Sequence, residues 1–266
     1  MKSTIAIVLI TGAAVLLFAT AHPALAQTFN TQLNVSLLNM LPEATTTDPP
    51  GNFHHVQPAD FDPGKTYLVQ ATWLSGLGCP TNASILDFNT GMKMAAPPDA
   101  ACPNTPGAFD PNDNHNEGLL LVKTGPTNNF ASATAELTNV KGITLTELGY
   151  DIRKSGGSVL SAQGSHCGAG APRFDVVTAD GIVHFVGCRS PMPIVAASST
   201  DWIRLRWTAT ELAVAFPPIS STDVVKRIVI VFDEGTDTGT DFFGAAILDN
   251  IDVNGTLVGE GSVTAN

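Results

Sequence analysis

The sequence predicts an all-β sandwich in an exported chain, and three observations carry that expectation. Short β-favouring runs alternate with clusters of Gly, Pro, Asn and Asp from residue 67 to residue 253. No segment of helical period is long enough to build an α layer. The chain opens on what reads as a secretory leader, and all four cysteines lie beyond it.

Met1-Lys2 supplies a positive start, residues 5–19 are almost wholly apolar, and Ala24-Leu25-Ala26 gives the small-x-small pattern that signal peptidase recognises. Residues 1–26 are therefore expected to be removed, leaving 27–266 as a single domain. The apolar run is shorter than the ~20 residues a membrane span needs, and Pro23 breaks any helix that would extend it. No cysteine stands at the cleavage point to take a lipid, so a secreted product, extracellular or periplasmic and without membrane insertion, is expected.

Thirteen Lys and Arg against 24 Asp and Glu give a formal charge of −11. Phosphate backbones and anionic membrane surfaces repel such a chain, so nucleic acid is excluded as a partner while cations are not. With 44% hydrophobic and only 14% charged residues, the composition is that of a folded protein.

The β runs, in order, are 67–74, 119–123, 131–137, 143–153, 173–179, 182–188, 202–208, 226–232, 245–248 and 251–253. Ten short strands suit a sandwich, with residues 79–117, rich in Pro, Asn and Asp, as a long loop. In 143–153 the apolar alternation slips near Thr146 and Glu147, which predicts a β-bulge there. Asp180-Gly181 joins two runs and predicts a two-residue hairpin turn with Ala179 opposite Ile182, Val176 opposite Phe185 and Arg173 opposite Cys188. Phe174, Val176, Val183 and Phe185 then share the core face. In 202–208, Ile203, Leu205 and Trp207 point to one face and are assigned to the core. Trp202, Arg204 and Arg206 point to the other, either as a solvated face or as an aromatic and cationic strip able to stack on a ligand. Residues 228–232 are apolar on both faces, as a central strand can be.

An even cysteine count in an exported chain argues for two disulfides, and no C-x-x-C spacing suggests a metal site. Of the three possible connectivities, Cys79 with Cys102 and Cys167 with Cys188 is favoured, because each pair brackets a local loop. Each closure is worth roughly 3 kcal/mol on the loop-entropy model.

The acidic stretch around Asp233, Glu234, Asp237 and Asp241, followed by Asp249, offers oxygen ligands of the kind one structural Ca2+ needs, though a plain solvated turn has the same composition. Residues 110–117 form a second, weaker oxygen-rich stretch. No catalytic motif commits the chain to an enzyme. A pair of glycosidase carboxylates drawn from Glu147, Asp151 and Glu234 stays open, because such pairs lie far apart in sequence. The histidines at 54, 55, 115, 166 and 184 are scattered.

The closing segment 245–255, with Asp249-Asn250 before a final β-branched run, resembles the last strands of secreted jelly-roll modules of the carbohydrate-binding, galactose-binding-like kind. The resemblance implies a jelly-roll-type antiparallel sandwich, binding of polysaccharide, and a structural calcium on Asp249. Binding faces in that group rely on exposed Trp and Tyr, and this chain has three Trp (73, 202, 207) and two Tyr (67, 150). The reading is a secreted, non-catalytic protein that binds extracellular or cell-surface polysaccharide through Trp202, Arg204 and Arg206. An extracellular structural, matrix or adhesion protein is the first alternative, and a secreted glycoside hydrolase-like enzyme the second.

Overall fold

The computed structural model describes residues 38, 40–41, 55–78, 84–86, 93–95, 117–125, 130–154, 171–188, 190–198, 202–233 and 243–259. The chain divides into two compact units, Met1–Pro42 and Glu43–Asn266. The proposed leader and Cys79, Cys102 and Cys167 lie outside the described residues. Among those residues, no helix is long and apolar enough to cross a membrane.

The larger unit is built from strands. They are β1 (Val56–Phe61), β2 (Val69–Ser75), β3 (Ser84–Leu86), β4 (Lys93–Ala95), β5 (Glu117–Thr124), β6 (Ser132–Leu137), β7 (Glu147–Lys154) and β8 (Arg173–Thr178). Next come β9 (Val183–Gly187), β10 (Ile194–Ser198), β11 (Ile203–Thr208), the single-turn α1 (Ala209–Leu212), β12 (Val225–Phe232), β13 (Phe243–Val253) and β14 (Thr256–Val258). One sheet has the order β1-β6-β12-β8-β9, the other β10-β11-β7-β13-β5-β2 with β14 added against β13. All named strand pairs are antiparallel, including the separate pair of β3 with β4. The late strands β12 and β13 each enter the middle of a sheet, between partners made earlier in the chain. Both sheets therefore close through long-range pairing.

The inner faces follow the alternation. Leu148, Tyr150 and Ile152 of β7, Ile203, Leu205 and Trp207 of β11 and Phe174 and Val176 of β8 all join one buried core. At its centre three rings from the two sheets meet: Tyr150 lies 5.5 Å from Phe174 and 5.3 Å from Trp207, and Phe174 lies 5.9 Å from Trp207. Edge-on and tilted packing of this kind adds to the burial of area. Each polar tip finds a carbonyl: Tyr150 Oη donates to Pro172 O at 2.8 Å and Trp207 Nε1 to Pro191 O at 3.0 Å. Trp73 Nε1 likewise donates to Val56 O at 2.9 Å, tying β2 of one sheet to β1 of the other.

The expected two-residue turn at Asp180-Gly181 is a three-residue one. Thr178 N donates to Ile182 O, Gly181 takes the left-handed conformation (φ 86°), and Val176 faces His184 rather than Phe185. The one-residue slip turns Val183 and Phe185 away from the core and puts Val186 beside Phe174. The expected slip at Thr146 and Glu147 is the start of β7, where Asn254 Oδ1 accepts from both backbone N–H groups. The bulge lies instead in the partner, between Asp249 and Asp252, with Asn250 left-handed at φ 44°. It joins the two runs 245–248 and 251–253 into one strand and keeps Leu248 and Ile251 both inward. Strand β12 is central and buried on both faces after its second residue, as its composition predicts.

Because Phe174 fills the space between two rings, Phe174→Ala is expected to cost about 3–5 kcal/mol of unfolding free energy. Urea denaturation followed by Trp fluorescence measures it; a loss below ~1 kcal/mol would mean that the ring cluster is not what joins the sheets.

Candidate functional site

The strip expected at Trp202, Arg204 and Arg206 is not an open face. Trp202 is 2% exposed, and both arginines lie against acidic partners on the neighbouring strands. Arg204 holds Asp151 through Nε–Oδ1 at 2.8 Å and a second nitrogen on Oδ2 at 2.9 Å. Asn250 Nδ2 adds a bond to the same Oδ2 at 2.9 Å. Arg206 lies flat across Gly149, where a Cβ would overlap its side chain, and its Nε stands 3.3 Å from Asp252 and 3.6 Å from Glu147. Alternation assigned these residues to the outer face correctly, but it carries no information on which charges the adjacent strands bring alongside. Burial pushes the Asp151 carboxyl up despite Arg204, and burial with a hydrogen bond to Asp252 raises that of Glu147.

The expected calcium set is not assembled from its described members. Both oxygens of Asp233 accept from Arg173, at 2.9 and 2.8 Å, whereas Asp249 stands in the other sheet with Oδ1 accepting from Asn250 N at 2.6 Å. Glu234, Asp237 and Asp241 lie outside the described residues, as do residues 110–116 of the second acidic stretch. Among the described residues no three metal-binding side chains are grouped to hold an ion. A calcium on Asp233 does not fit this arrangement, because Arg173 already neutralises that carboxylate.

Arg173 also donates through Nε to Asp175 Oδ1 at 2.9 Å and lies over the Phe185 ring at 5.9 Å. Asp175 is 0% exposed, and its Oδ2 has no hydrogen-bond partner. Burial, with the nearby Asp233 carboxylate and against Arg173, lifts its pKa to about 6. On the inward face of β5, Lys123 is buried too and donates to Ala131 O at 2.6 Å, its pKa brought down to about 8 by desolvation. His184 donates through Nδ1 to Pro217 O at 2.9 Å, and its Nε2 stands 3.0 Å from Thr178 Oγ1. The histidines at 54, 115 and 166 lie outside the described residues.

Of the five Trp and Tyr side chains, Trp73, Trp202, Trp207 and Tyr150 are buried, and Tyr67 is 87% exposed. The loop after β1 sets Tyr67 in place. Asp62 accepts from Thr66 Oγ1 at 2.8 Å and from Tyr67 N at 2.6 Å, while Lys65 and Tyr67 both adopt left-handed conformations (φ 51° and 58°). A left-handed backbone is costly for an aromatic residue and persists only where its surroundings impose it. Leu68 O accepts from Thr124 N at 2.7 Å, placing Tyr67 beside the end of β5. Just before β6, Phe130 is 46% exposed and also left-handed at φ 62°. Tyr67, expected as the first residue of a strand, belongs instead to the loop that opens at Asp62-Pro63-Gly64, and β2 begins only at Val69.

No family model and no curated protein matches the sequence. Among solved structures the chain is similar to the family 11 carbohydrate-binding module of the cellulosomal cellulase Lic26A-Cel5E of Clostridium thermocellum, at a TM-score of 0.34 and 10% identity over 81% of this chain and 96% of that one. It is similar also to a family 11 module from Clostridium thermocellum in complex with a β-1,3-1,4-mixed-linked tetrasaccharide, at 0.34 and 12% over 80% and 95%. A third is the enzymatically active domain of tailspike protein 4 of bacteriophage CBA120, at 0.32 and 8% over 80% of this chain and 21% of that one.

Asp175 generates a pH prediction. Its folded pKa is raised from 3.8 to about 6, so the native state holds this proton more tightly than the unfolded chain does. The stabilisation is complete below about pH 4 and is lost as pH rises through about 6. Asp175→Asn should therefore gain on the wild type across that window, reaching on the order of 3 kcal/mol at pH 7. Parallel denaturation curves at pH 4 and pH 7 measure the difference; a constant offset between the two proteins would rule out a proton on Asp175.

Proposed function

We propose that this chain is an exported, non-catalytic β-sandwich that binds polysaccharide through Tyr67 and Phe130 at one end of the sandwich. The observation that carries the reading is the contrast between Tyr67 and the four other Trp and Tyr rings, which are all withdrawn into the protein. An exposed aromatic face gives the C–H side of a sugar ring an apolar platform, and its entropic cost is low because few torsions need to be fixed. The Asp62 clamp fixes the backbone of that platform before any ligand arrives, which reduces the cost of binding. On the outer face of the large sheet the arginines and carboxylates are engaged with one another, so a ligand there would have to displace buried ion pairs.

Export through the leader and oxidation of the cysteines belong to the same reading. Cys188 is buried at the open end of the β8–β9 hairpin with Sγ 3.2 Å from Ala171 O, and closure onto Cys167 would hold that end. The secreted product is expected to begin at Gln27 and to show Cys167 with Cys188 in a non-reducing peptide map. A product that retains residues 1–26, or a map joining Cys79 to Cys167, would contradict this.

For the binding site, retention on a panel of insoluble polysaccharides and on a glycan array is the measurement. Tyr67→Ala should reduce retention about 5- to 30-fold, the loss expected when a stacking contact of roughly 1–2 kcal/mol is removed, with the melting temperature unchanged. Retention that survives Tyr67→Ala and Phe130→Ala together would overturn the proposal.

A further inference from the structure

His184 is only 3% exposed, yet both of its ring nitrogens face a polar atom. On one side stands the Pro217 carbonyl, 2.9 Å from Nδ1, and a carbonyl can only accept. On the other stands Thr178 Oγ1, 3.0 Å from Nε2. Threonine has one hydroxyl proton, and here it goes to Asp180 Oδ1 at 2.6 Å, the shortest contact that Oγ1 makes. Hydrogen bonds from Thr178 and Ile182 hold the exposed Asp180 carboxyl below the usual range, so it is a carboxylate and only accepts. The proton count then closes in one way: Nδ1 and Nε2 both donate, and the ring is an imidazolium.

Three parts of the fold meet at this ring. His184 belongs to β9, Thr178 ends β8 with Asp180 in the turn beyond it, and Pro217 belongs to the segment whose Phe216 pairs with Phe185 along the edge of β9. Residues 213–219 carry no charge. Beside them Glu211 is held by Thr208 and Asp223 by Ser220. On β8 the register turns Arg173 and Asp175 to the opposite face, and on β12 Lys226 is exposed and Arg227 holds Glu136. Among the described residues Asp180 is thus the charge that answers His184, with Thr178 relaying between them.

We propose that the doubly protonated His184 ring latches the β8–β9 turn to the segment at 213–219, and that loss of one proton to solvent opens the latch at the turn. A neutral ring keeps a single N–H. Pro217 O is shielded by the fold, so leaving it without a donor is costly, and Nδ1 keeps the proton. Nε2 becomes an acceptor, Thr178 turns its hydroxyl from Asp180 to the ring, and Asp180 loses the shorter of its two bonds to the turn. Water replaces that donor, because Asp180 is exposed. The latch is complete on the acid side and opens as pH rises through the range in which histidine titrates, about pH 5 to 8.

Asp175 titrates in the same window, so the test is read locally rather than from global stability. Ring-nitrogen resonances and amide protection are followed by NMR in the folded protein from about pH 5 to about pH 8. Both ring nitrogens should be protonated at the acid end and Nδ1 alone at the other. Protection of the Ile182 amide, corrected for intrinsic exchange, should fall about 5-fold in step with the ring, while that of Phe185, bonded to Phe216 O, stays constant. Asp180→Asn gives Thr178 Oγ1 a donor, which frees the hydroxyl to serve Nε2 throughout. In that variant the ring should be neutral at a pH where the wild type is protonated, with Ile182 indifferent to pH. A wild-type ring whose proton count does not change between those limits, turn protection that does not follow the ring, or an Asp180→Asn chain that responds to pH as the wild type does overturns the proposal.

Discussion

The structure depends on two sheets burying their inner faces against each other, and that burial is concentrated where Tyr150, Phe174 and Trp207 meet. Among the described residues neither sheet has another apolar layer to lie on, so the remaining described features are arranged around this contact. The rings carry polar groups that would be costly if buried alone, and each is answered by a carbonyl from the loops beside it. The loops before β8 and β10 are therefore tied to the core at Pro172 and Pro191, and the same contact that joins the sheets also fixes part of the loop end.

A second constraint comes from the charged side chains that the sheets bury. Cut off from bulk water, these need partners of opposite charge. Asp151 with Arg204, Glu136 with Arg227 and Asp233 with Arg173 meet that need through two bonds each. Such pairs are weak evidence for stability, because desolvation offsets much of their attraction. Their effect here is on specificity of register. A one-residue slip of β11 against β7 would leave Asp151 and Arg204 on opposite faces, each uncompensated.

The fold was legible in the sequence wherever one face of a strand is wetter than the other. Ile203, Leu205 and Trp207 alternate cleanly with polar neighbours, and they lie where alternation places them. Strands β1 and β10 were not legible, since Pro58 and the Ala-rich 194–198 carry little β signal of their own and form by pairing with β6 and β11. The hairpin register was read one residue off, because Asp-Gly fits both a two-residue turn and the left-handed last position of a three-residue one. For the site, composition shows only that Trp and Tyr are few. It could not say which of the five would stay in water, a matter decided by Asp62 and the turn it stabilises.

The division of labour between sheet and loop results from these constraints. On the face of the large sheet, Arg204 and Arg206 are already engaged by carboxylates, and Gly149 is kept small so that the Arg206 side chain can lie against the backbone. A surface whose charges answer one another has little left with which to bind. The loop between β1 and β2 does the reverse: one carboxylate accepts two bonds from its own segment and holds an aromatic ring away from the protein. Left-handed backbone at Lys65 and Tyr67 costs energy that little buried area at those residues recovers. A cost of that kind, kept at the rim of a well-packed sandwich, is the physical reason to look for the ligand at the loops and not on the sheet.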